Sequence, residues 1–205
     1  ENNSFIKSIQ QFSKEKKKWF LIGSMPVKIS SNKLVNRAIL INPKGEIVTY
    51  YDKIHMFDAV LSKTEMYKES KKFLAGQDLV HADLPWGTLG LSICYDIRFP
   101  KMYRKLAKLG CSYVAVPAAF TKTTGEKHWH ILLQARAIEN FCYIFAPAQV
   151  GTHYNQRQTY GHTLIISPDG EILAEKKSGV GYIIAEIDST LPGLLREKIP
   201  SLNLD

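Results

Sequence analysis

The sequence has 205 residues, 45% hydrophobic and 22% charged, which suits one domain with a sizeable core and excludes collagen, coiled coils and wholesale disorder. No apolar run approaches the roughly 18 residues of a membrane span, and the opening residues ENNSFIKSIQ lack the apolar stretch of a secretory signal. The net charge is +8, but the densest lysine cluster, at residues 14–18, ends a predicted helix, which favours a solvated surface over a nucleic-acid or membrane interface.

The first part of the chain predicts one helix and three strands. Apolar residues recur at helical spacing over residues 3–18, which predicts an amphipathic helix. The apolar and β-branched runs at 19–24, 37–43 and 46–53 predict strands, and the Asn-Pro-Lys-Gly sequence at 42–45 predicts a hairpin turn between the last two.

The middle of the chain predicts a long loop, followed by strands and a helix. Residues 54–78 show no clear period and predict a loop of a length that is usually functional. Strands are predicted at 78–85, 88–94 and 111–117. A proline at its first position and a glycine at its end predict a helix over 100–110.

The last third of the chain continues the alternation of helices and strands. The predicted elements are a helix at 128–140, strands at 142–150, 161–167, 171–176 and 181–188, and a short helix at 191–199. Several of these strands are apolar on both faces, which is typical of sheets covered by helices. The sequence therefore predicts a layered α/β (α+β) protein made of a single domain, residues 1–205.

The cysteine and histidine spacings favour a reduced protein without a metal. Cys94, Cys111 and Cys142 are odd in number and none has CxxC spacing, so we expect no disulfide framework, no zinc site and a cytoplasmic location. The histidines lack an HxxxH pattern, and there is no phosphate loop or dinucleotide fingerprint. We expect neither a metal nor a cofactor.

The most informative stretch for chemistry is residues 90–100, where a strand, a turn carrying Cys94 and a helix follow one another. This geometry exposes a nucleophile at a sheet edge and places the N–H of Tyr95 where an oxyanion would form. A helix N-terminus and nearby cations would lower the pKa of the thiol. On this pattern alone, a buried structural Cys94 remains an equal alternative, whereas Cys111 and Cys142 lie in apolar strands and are interpreted as core residues.

Six segments, one of them the stretch at 90–100, lead to a family. They are YYDKIHMFD (50–58), YKESKKFLAG (67–76), GLSICYDIRFP (90–100), TTGEKHW (123–129), LLQARAIEN (132–140) and YGHTLIISPDG (160–170). Together they resemble the carbon–nitrogen hydrolase (nitrilase) superfamily, over about residues 5–200. The segment at 148–163, with His153, Arg157 and Tyr160, resembles the Nit branch, which includes the deaminated-glutathione amidases and the ω-amidases.

The resemblance implies an αββα four-layer sandwich that pairs into homodimers or larger homo-oligomers. It also implies that Cys94 is the nucleophile, Lys53 the catalytic lysine and Glu69 a supporting glutamate. The implied reaction is hydrolysis of the C–N bond of a small carboxylate-bearing amide, with deaminated glutathione as the leading candidate, through a cysteine thioester. Tyr95 would contribute to the oxyanion site, and no cofactor is implied.

Several neighbouring residues have structural alternatives. Trp129 either lines the substrate pocket or packs its own helix. Asp96 and Arg98, two residues apart after the nucleophile, are expected to form a structural ion pair. Arg136 and Glu139, three apart on a predicted helix, are also expected to pair.

The sequence departs from the family pattern at its start. Family members begin with a β-α-β segment that ends in a Phe-Pro-Glu motif carrying the general base, and this sequence does not contain it. We therefore expect a nitrilase-type fold that lacks its first β-α-β segment, with activity of this chain alone in question. The alternatives are an inactive remnant that only binds or assembles, and a nitrile or N-carbamoyl hydrolase. His130 also departs from the acidic residue that many Nit-branch members carry there.

Overall fold

A six-stranded and a three-stranded β-sheet form the frame of the molecule. The structure is a computed structural model that describes residues 3–204, apart from the side chain of residue 155. Its helices are α1 (Ser4–Lys16), α2 (Pro100–Lys108), α3 (Lys122–Asn140) and α4 (Leu191–Lys198). Its strands are β1 (Phe20–Ser30), β2 (Lys33–Ile41), β3 (Ile47–Asp52), β4 (Asp58–Val60), β5 (Met66–Lys68), β6 (His81–Leu84), β7 (Gly87–Leu91), β8 (Cys111–Ala115), β9 (Tyr143–Ala146), β10 (Val150–Thr152), β11 (Gln158–Tyr160), β12 (Thr163–Ile166) and β13 (Ile172–Lys176).

The six-stranded sheet has the order β13-β12-β9-β8-β7-β6, with β7, β8 and β9 parallel and the outer pairs antiparallel. The parallel centre is buried, as its uniformly apolar sequence predicts: Val114 and Ile144 are at most 1% exposed. Because parallel strands end at the same edge, the segments that follow β7, β8 and β9 meet there.

The three-stranded sheet, β1-β2-β3, is antiparallel throughout. Its residues Ala38, Leu40 and Tyr51 belong to the same buried core as Leu91 and Val116 of the larger sheet and the segment after β8. The end of β3 thus lies near the carboxyl edge of the parallel strands. This packing brings Lys53, the first residue after β3, towards Cys94.

The layered α/β architecture predicted from the sequence is confirmed, with differences at the ends of elements. Helix α3 begins at Lys122, six residues before the predicted start. Its first turns are polar and hold Gly125, which packs so closely on Tyr160 that a Cβ would lie 2.4 Å from the ring. The apolar period therefore starts only after the helix has begun.

Two other predictions need correction. The predicted strand at 181–188 does not form, and Val180, Tyr182 and Ile184 are exposed there. The predicted loop at 54–78 contains a short antiparallel ribbon, β4 with β5. The ribbon is local, with Val60 opposite Met66, but each of its strands has only three residues, which is too few for an alternating pattern to show.

The single-domain prediction covers residues 1–205, of which 1, 2 and 205 lie outside the described residues, and it stays a prediction. Within residues 3–204, no helix is long and apolar enough to cross a membrane.

Candidate active site

A pocket of about 630 Å³ opens at the carboxyl ends of β7, β8 and β9. The segment after β7 supplies Cys94, the segment after β8 supplies residues 118–120, and the segment after β9 supplies Gln149. Lys53 and Glu69 line the same pocket. The three residues predicted as a catalytic set, which are 16 to 41 positions apart in the sequence, therefore converge on one cavity.

The backbone holds Cys94 at a sharp turn. Cys94 has a φ of 51° and begins a short 3-10 helix, Cys94–Arg98, three residues after the last residue of β7. Its N–H donates to the carbonyl of Pro117 at 3.0 Å, which fixes the turn to the neighbouring segment. Left-handed backbone is strained for a residue with a side chain and is held only by its surroundings. The N–H of Tyr95, also lining the pocket, lies in the first helical turn, where N–H groups lack helical partners.

The pKa of the Cys94 thiol is raised, which corrects the prediction of a lowered value. Burial is the largest cause, because it penalises the thiolate, and the charge of Glu69 adds to it. Lys53, the backbone N–H of Ala119 and Arg157 act in the opposite direction. Burial thus disfavours the thiolate, and the ammonium group of Lys53 beside it acts in its favour.

Lys53 and Glu69 form a close ion pair beside the sulfur. Lys53 Nζ donates to Glu69 Oε2 at 2.5 Å, and the side chains are 3% and 17% exposed. The same carboxylate oxygen accepts the backbone N–H of Phe57 at 2.7 Å. The backbone of Lys53 is fixed on both sides, by bonds to Asn36 and Gly76. Glu69 thus orients the ammonium group.

Asp96 connects the lysine segment to the nucleophile turn. Its buried carboxylate accepts the hydroxyl of Tyr51 at 2.7 Å, the backbone N–H of Ile93 at 2.8 Å, and both the backbone N–H and Nδ1 of His55. Tyr51 and His55 lie two residues on either side of Lys53. One carboxylate therefore holds Lys53 in register with Cys94.

The predicted Asp96–Arg98 ion pair is wrong. Asp96 points into the core towards Tyr51 and His55, whereas Arg98 lies beside His128, at 3.2 Å, and over the ring of Phe120. The physical reason is that the 3-10 helix turns neighbouring side chains to different sides. The predicted Arg136–Glu139 pair is confirmed, at 2.6 Å.

With this geometry in place, the chain can be compared with known proteins. The sequence profile of the carbon–nitrogen hydrolase family matches residues 1–196. The chain belongs to this family. Relatives of this carbon–nitrogen hydrolase include two proteins named deaminated glutathione amidase. One, from Synechocystis sp., is 46% identical over 187 residues, which cover 89% of this chain and 68% of the relative. The other, from Dictyostelium discoideum, is 40% identical over 208 residues, covering 99% and 72%.

Solved structures of related proteins have the same fold. The NitFhit protein of C. elegans superposes with a TM-score of 0.93 at 35% identity, over 98% of this chain and 50% of that one. Nit3 of Saccharomyces cerevisiae, described as a member of branch 10 of the nitrilase superfamily, superposes with a TM-score of 0.86 at 27% identity, over 98% and 70%. The resemblance seen in the sequence motifs is thus confirmed.

Trp129 of this carbon–nitrogen hydrolase does not line the pocket. Its side chain is fully buried, its indole N–H donates to the carbonyl of His162 at 2.8 Å, and it packs on Phe120 with ring centroids 4.9 Å apart. The expectation that Trp129 binds substrate is therefore wrong, and the alternative of helix packing is correct. Phe120, on which Trp129 packs, is one of the residues that line the pocket.

The pocket contains one functional candidate that sequence reasoning did not place there. In the sequence, Arg157 is only part of the segment that resembles the Nit branch, yet in the structure it lines the cavity beside Tyr67. Its Nη2 donates to the carbonyl of Ala119 at 2.7 Å, and its guanidinium lies 5.5 Å from the centre of the Tyr67 ring. Its Nε is buried without a hydrogen-bond partner among the described residues. A buried, unpaired donor in a pocket is available to a ligand.

Replacing Asp96 with asparagine is expected to lower the free energy of unfolding by about 3 kcal/mol, the cost of leaving buried hydrogen-bonding groups unsatisfied. An amide cannot accept all the hydrogen bonds that Asp96 accepts from Tyr51, Ile93 and His55. For a chain of this size we expect a fall in Tm of about 6–12 °C, measured by thermal unfolding. Asp83→Asn, at an exposed residue of β6, is the control and should shift Tm little. An unchanged Tm for Asp96→Asn would show that this carboxylate does not join the two segments.

Proposed function

We propose that this protein hydrolyses the C–N bond of a small carboxylate-bearing amide through a thioester on Cys94, with deaminated glutathione as the leading candidate substrate. The observation that carries the proposal is the convergence of Cys94, Lys53 and Glu69 in one pocket. The names of its relatives from Synechocystis and Dictyostelium support the choice of substrate.

The proposed reaction begins with attack of Cys94 Sγ on the amide carbonyl carbon. The negative charge that develops on the carbonyl oxygen is stabilised by the ammonium of Lys53 and the N–H of Tyr95, and one such donor typically contributes about 3 kcal/mol. The C–N bond then breaks, the nitrogen leaves as ammonia after gaining a proton, and the acyl group remains on sulfur. Water adds to the thioester, the C–S bond breaks, and the carboxylic acid is released with the thiol restored.

The proposed mechanism requires a group that carries protons. The thiol proton must pass to the leaving nitrogen, and a proton of the attacking water must return to sulfur, so a carboxylate carrier is needed. Among the pocket residues that the structure describes, Glu69 is the only carboxylate, and it already binds Lys53 and the N–H of Phe57. This observation favours a second candidate function, an amide-binding protein that does not turn over.

Ammonia release separates the two candidates. Purified protein is incubated with amides that carry a carboxylate, including deaminated glutathione, and with nitriles and N-carbamoyl compounds as competing substrate classes. The proposed amidase releases many equivalents of ammonia per chain from the carboxylate-bearing amides. Release of one equivalent or less from every compound would overturn the amidase proposal in favour of binding without turnover.

The charges around the pocket favour an anionic substrate. Lys68, Lys72 and Arg157 line the cavity, and Glu69 is neutralised by Lys53. Arg157 is the best placed of these cations, because its Nε is buried and unpaired while the lysines are exposed. We propose that the guanidinium of Arg157 binds the carboxylate of the substrate, since its planar array of donors matches that group.

Substitution of Arg157 by glutamine is expected to raise KM for a carboxylate-bearing amide by about 10- to 100-fold, the effect of losing a hydrogen bond to a charged group. KM for the neutral analogue, in which the carboxylate is replaced by a methyl ester, should change little. Arg157→Lys retains the positive charge and should recover part of the loss. Steady-state kinetics measure KM for both compounds with the parent and both variants. An equal effect on the two substrates would contradict a specific contact with the carboxylate.

We propose a cellular compartment for this protein from the state of its cysteines. Cys94, Cys111 and Cys142 are all free thiols, which supports a reducing compartment such as the cytoplasm. The homo-oligomer implied by the family resemblance stays a prediction.

A further inference from the structure

Outside the pocket, two histidines and a glutamate converge at one end of the larger sheet. His130 lies on α3, His162 directly precedes β12, and Glu175 lies on β13. Glu175 Oε1 lies 3.0 Å from His130 Nε2 and 2.6 Å from His162 Nδ1. One ligand atom from each of the three residues lies within 4.8 Å of the others. None of these residues lines the pocket of Cys94.

The cluster is held by contacts that do not depend on Glu175. The carbonyl of His162 accepts the indole N–H of Trp129, and its backbone adopts a φ of 58°. The ring of His162 stacks on Tyr160 with centroids 4.0 Å apart, and the His130 ring meets it edge-on at 5.0 Å. The two imidazoles are therefore positioned by packing, as ligands in a preorganised site must be.

The arrangement suits a divalent transition-metal ion. Two imidazole nitrogens and one carboxylate oxygen form a His₂Glu donor set, which binds Zn²⁺ with a water in the fourth position. Ligand distances of about 2.0–2.1 Å in a tetrahedron place donor atoms about 3.3 Å apart. The separations from Glu175 Oε1, 3.0 Å to His130 Nε2 and 2.6 Å to His162 Nδ1, are shorter than this value, so the side chains would move slightly apart to admit an ion in place of the bridging protons. The side chains are 27%, 19% and 21% exposed for His130, His162 and Glu175, which leaves a path for the ion to enter.

We propose that His130, His162 and Glu175 form a binding site for a divalent transition-metal ion such as Zn²⁺, separate from the catalytic pocket. The ion would add a direct bond between α3, the segment before β12 and β13, which already meet here through hydrogen bonds and ring contacts. Tyr160, stacked on His162, packs against Gly125 in the first turns of α3, whose residue Thr124 lines the pocket. Metal binding would therefore reduce the mobility of the first turns of α3, which form part of the pocket wall.

The test uses the Cys94→Ala protein, so that the pocket thiol cannot bind the metal. After treatment with a chelator and its removal, the protein is titrated with Zn²⁺ by calorimetry and its thermal unfolding is followed. We expect one Zn²⁺ per chain, and a rise in Tm of about 5–10 °C when free Zn²⁺ is about 100-fold above Kd. Co²⁺ should give visible absorption bands without a thiolate charge-transfer band.

Three variants in the same Cys94→Ala background locate the site. His130→Gln and Glu175→Gln should each weaken Zn²⁺ binding at least tenfold and abolish the rise in Tm. His128→Gln is the matched control, since His128 lies on the same helix but faces Arg98, and it should bind as the parent protein does. The proposal is overturned if the parent binds no Zn²⁺, or if both cluster variants bind it with unchanged affinity.

Discussion

Cys94→Ala is expected to lower kcat for amide hydrolysis by about 10⁴-fold or more, to the background of the assay, because the reaction loses its nucleophile. The fold should be unaffected, since the replacement removes only the sulfur atom and the turn is held by its backbone bond to Pro117. Ammonia release is the measurement, and unfolding by urea verifies that the variant is folded.

Cys142→Ala is the control for this variant. Cys142 is a buried core residue whose Sγ lies 3.7 Å from the carbonyl of Arg136, and it is not among the residues that line the pocket. Its replacement should cost some stability and leave kcat close to that of the parent. Ammonia release that survives in Cys94→Ala at the parental rate would eliminate the proposed thioester mechanism.

The second large effect is expected for Lys53→Met, which keeps the length of the side chain and removes its charge. We expect kcat to fall by about 10²- to 10³-fold, as for the loss of one oxyanion donor. Because Lys53 opposes the effect of burial on the Cys94 pKa, this substitution should raise the thiol pKa further. Alkylation of Cys94 by iodoacetamide near neutral pH should slow accordingly, which gives a readout independent of turnover.

Lys72→Met is the matched control, because the side chain of Lys72 lines the same pocket but is exposed, and the Glu69 carboxylate pairs with Lys53 instead. Its kcat and the alkylation rate of Cys94 should stay within about threefold of the parent, as expected for a solvent-screened charge. If both lysine variants lose activity equally, the loss is caused by the lower positive charge of the pocket. That result would refute the specific role of Lys53 as an oxyanion donor.

The sequence allowed the buried parallel strands and the nucleophile turn to be predicted, because both are local. Val114 and Ile144 lie in uniformly apolar runs, and the turn at Cys94 follows a strand and precedes a helix. Glu69 had no such signal: it lies in a lysine-rich segment without a period, and only the motif resemblance indicated it. Its bond to Lys53 depends on how the loop packs against β3.

The predictions that failed did so where a distant partner decides the outcome. Asp96 was paired with its sequence neighbour Arg98, but its partners Tyr51 and His55 are 45 and 41 residues away. A helix start and nearby cations suggested a lowered thiol pKa, whereas burial of Cys94 has the larger effect. The cluster of His130, His162 and Glu175 spans 45 residues and three elements, so no spacing rule could reveal it.

The most direct test of the proposed mechanism is to trap the acyl group on the protein. The protein is mixed with deaminated glutathione, quenched in acid during the first turnovers, digested and examined by mass spectrometry. The account predicts an acyl group, the substrate less ammonia, on the peptide that contains Cys94. An acyl group on a different residue, or ammonia release that continues after Cys94 has been fully alkylated, would contradict it.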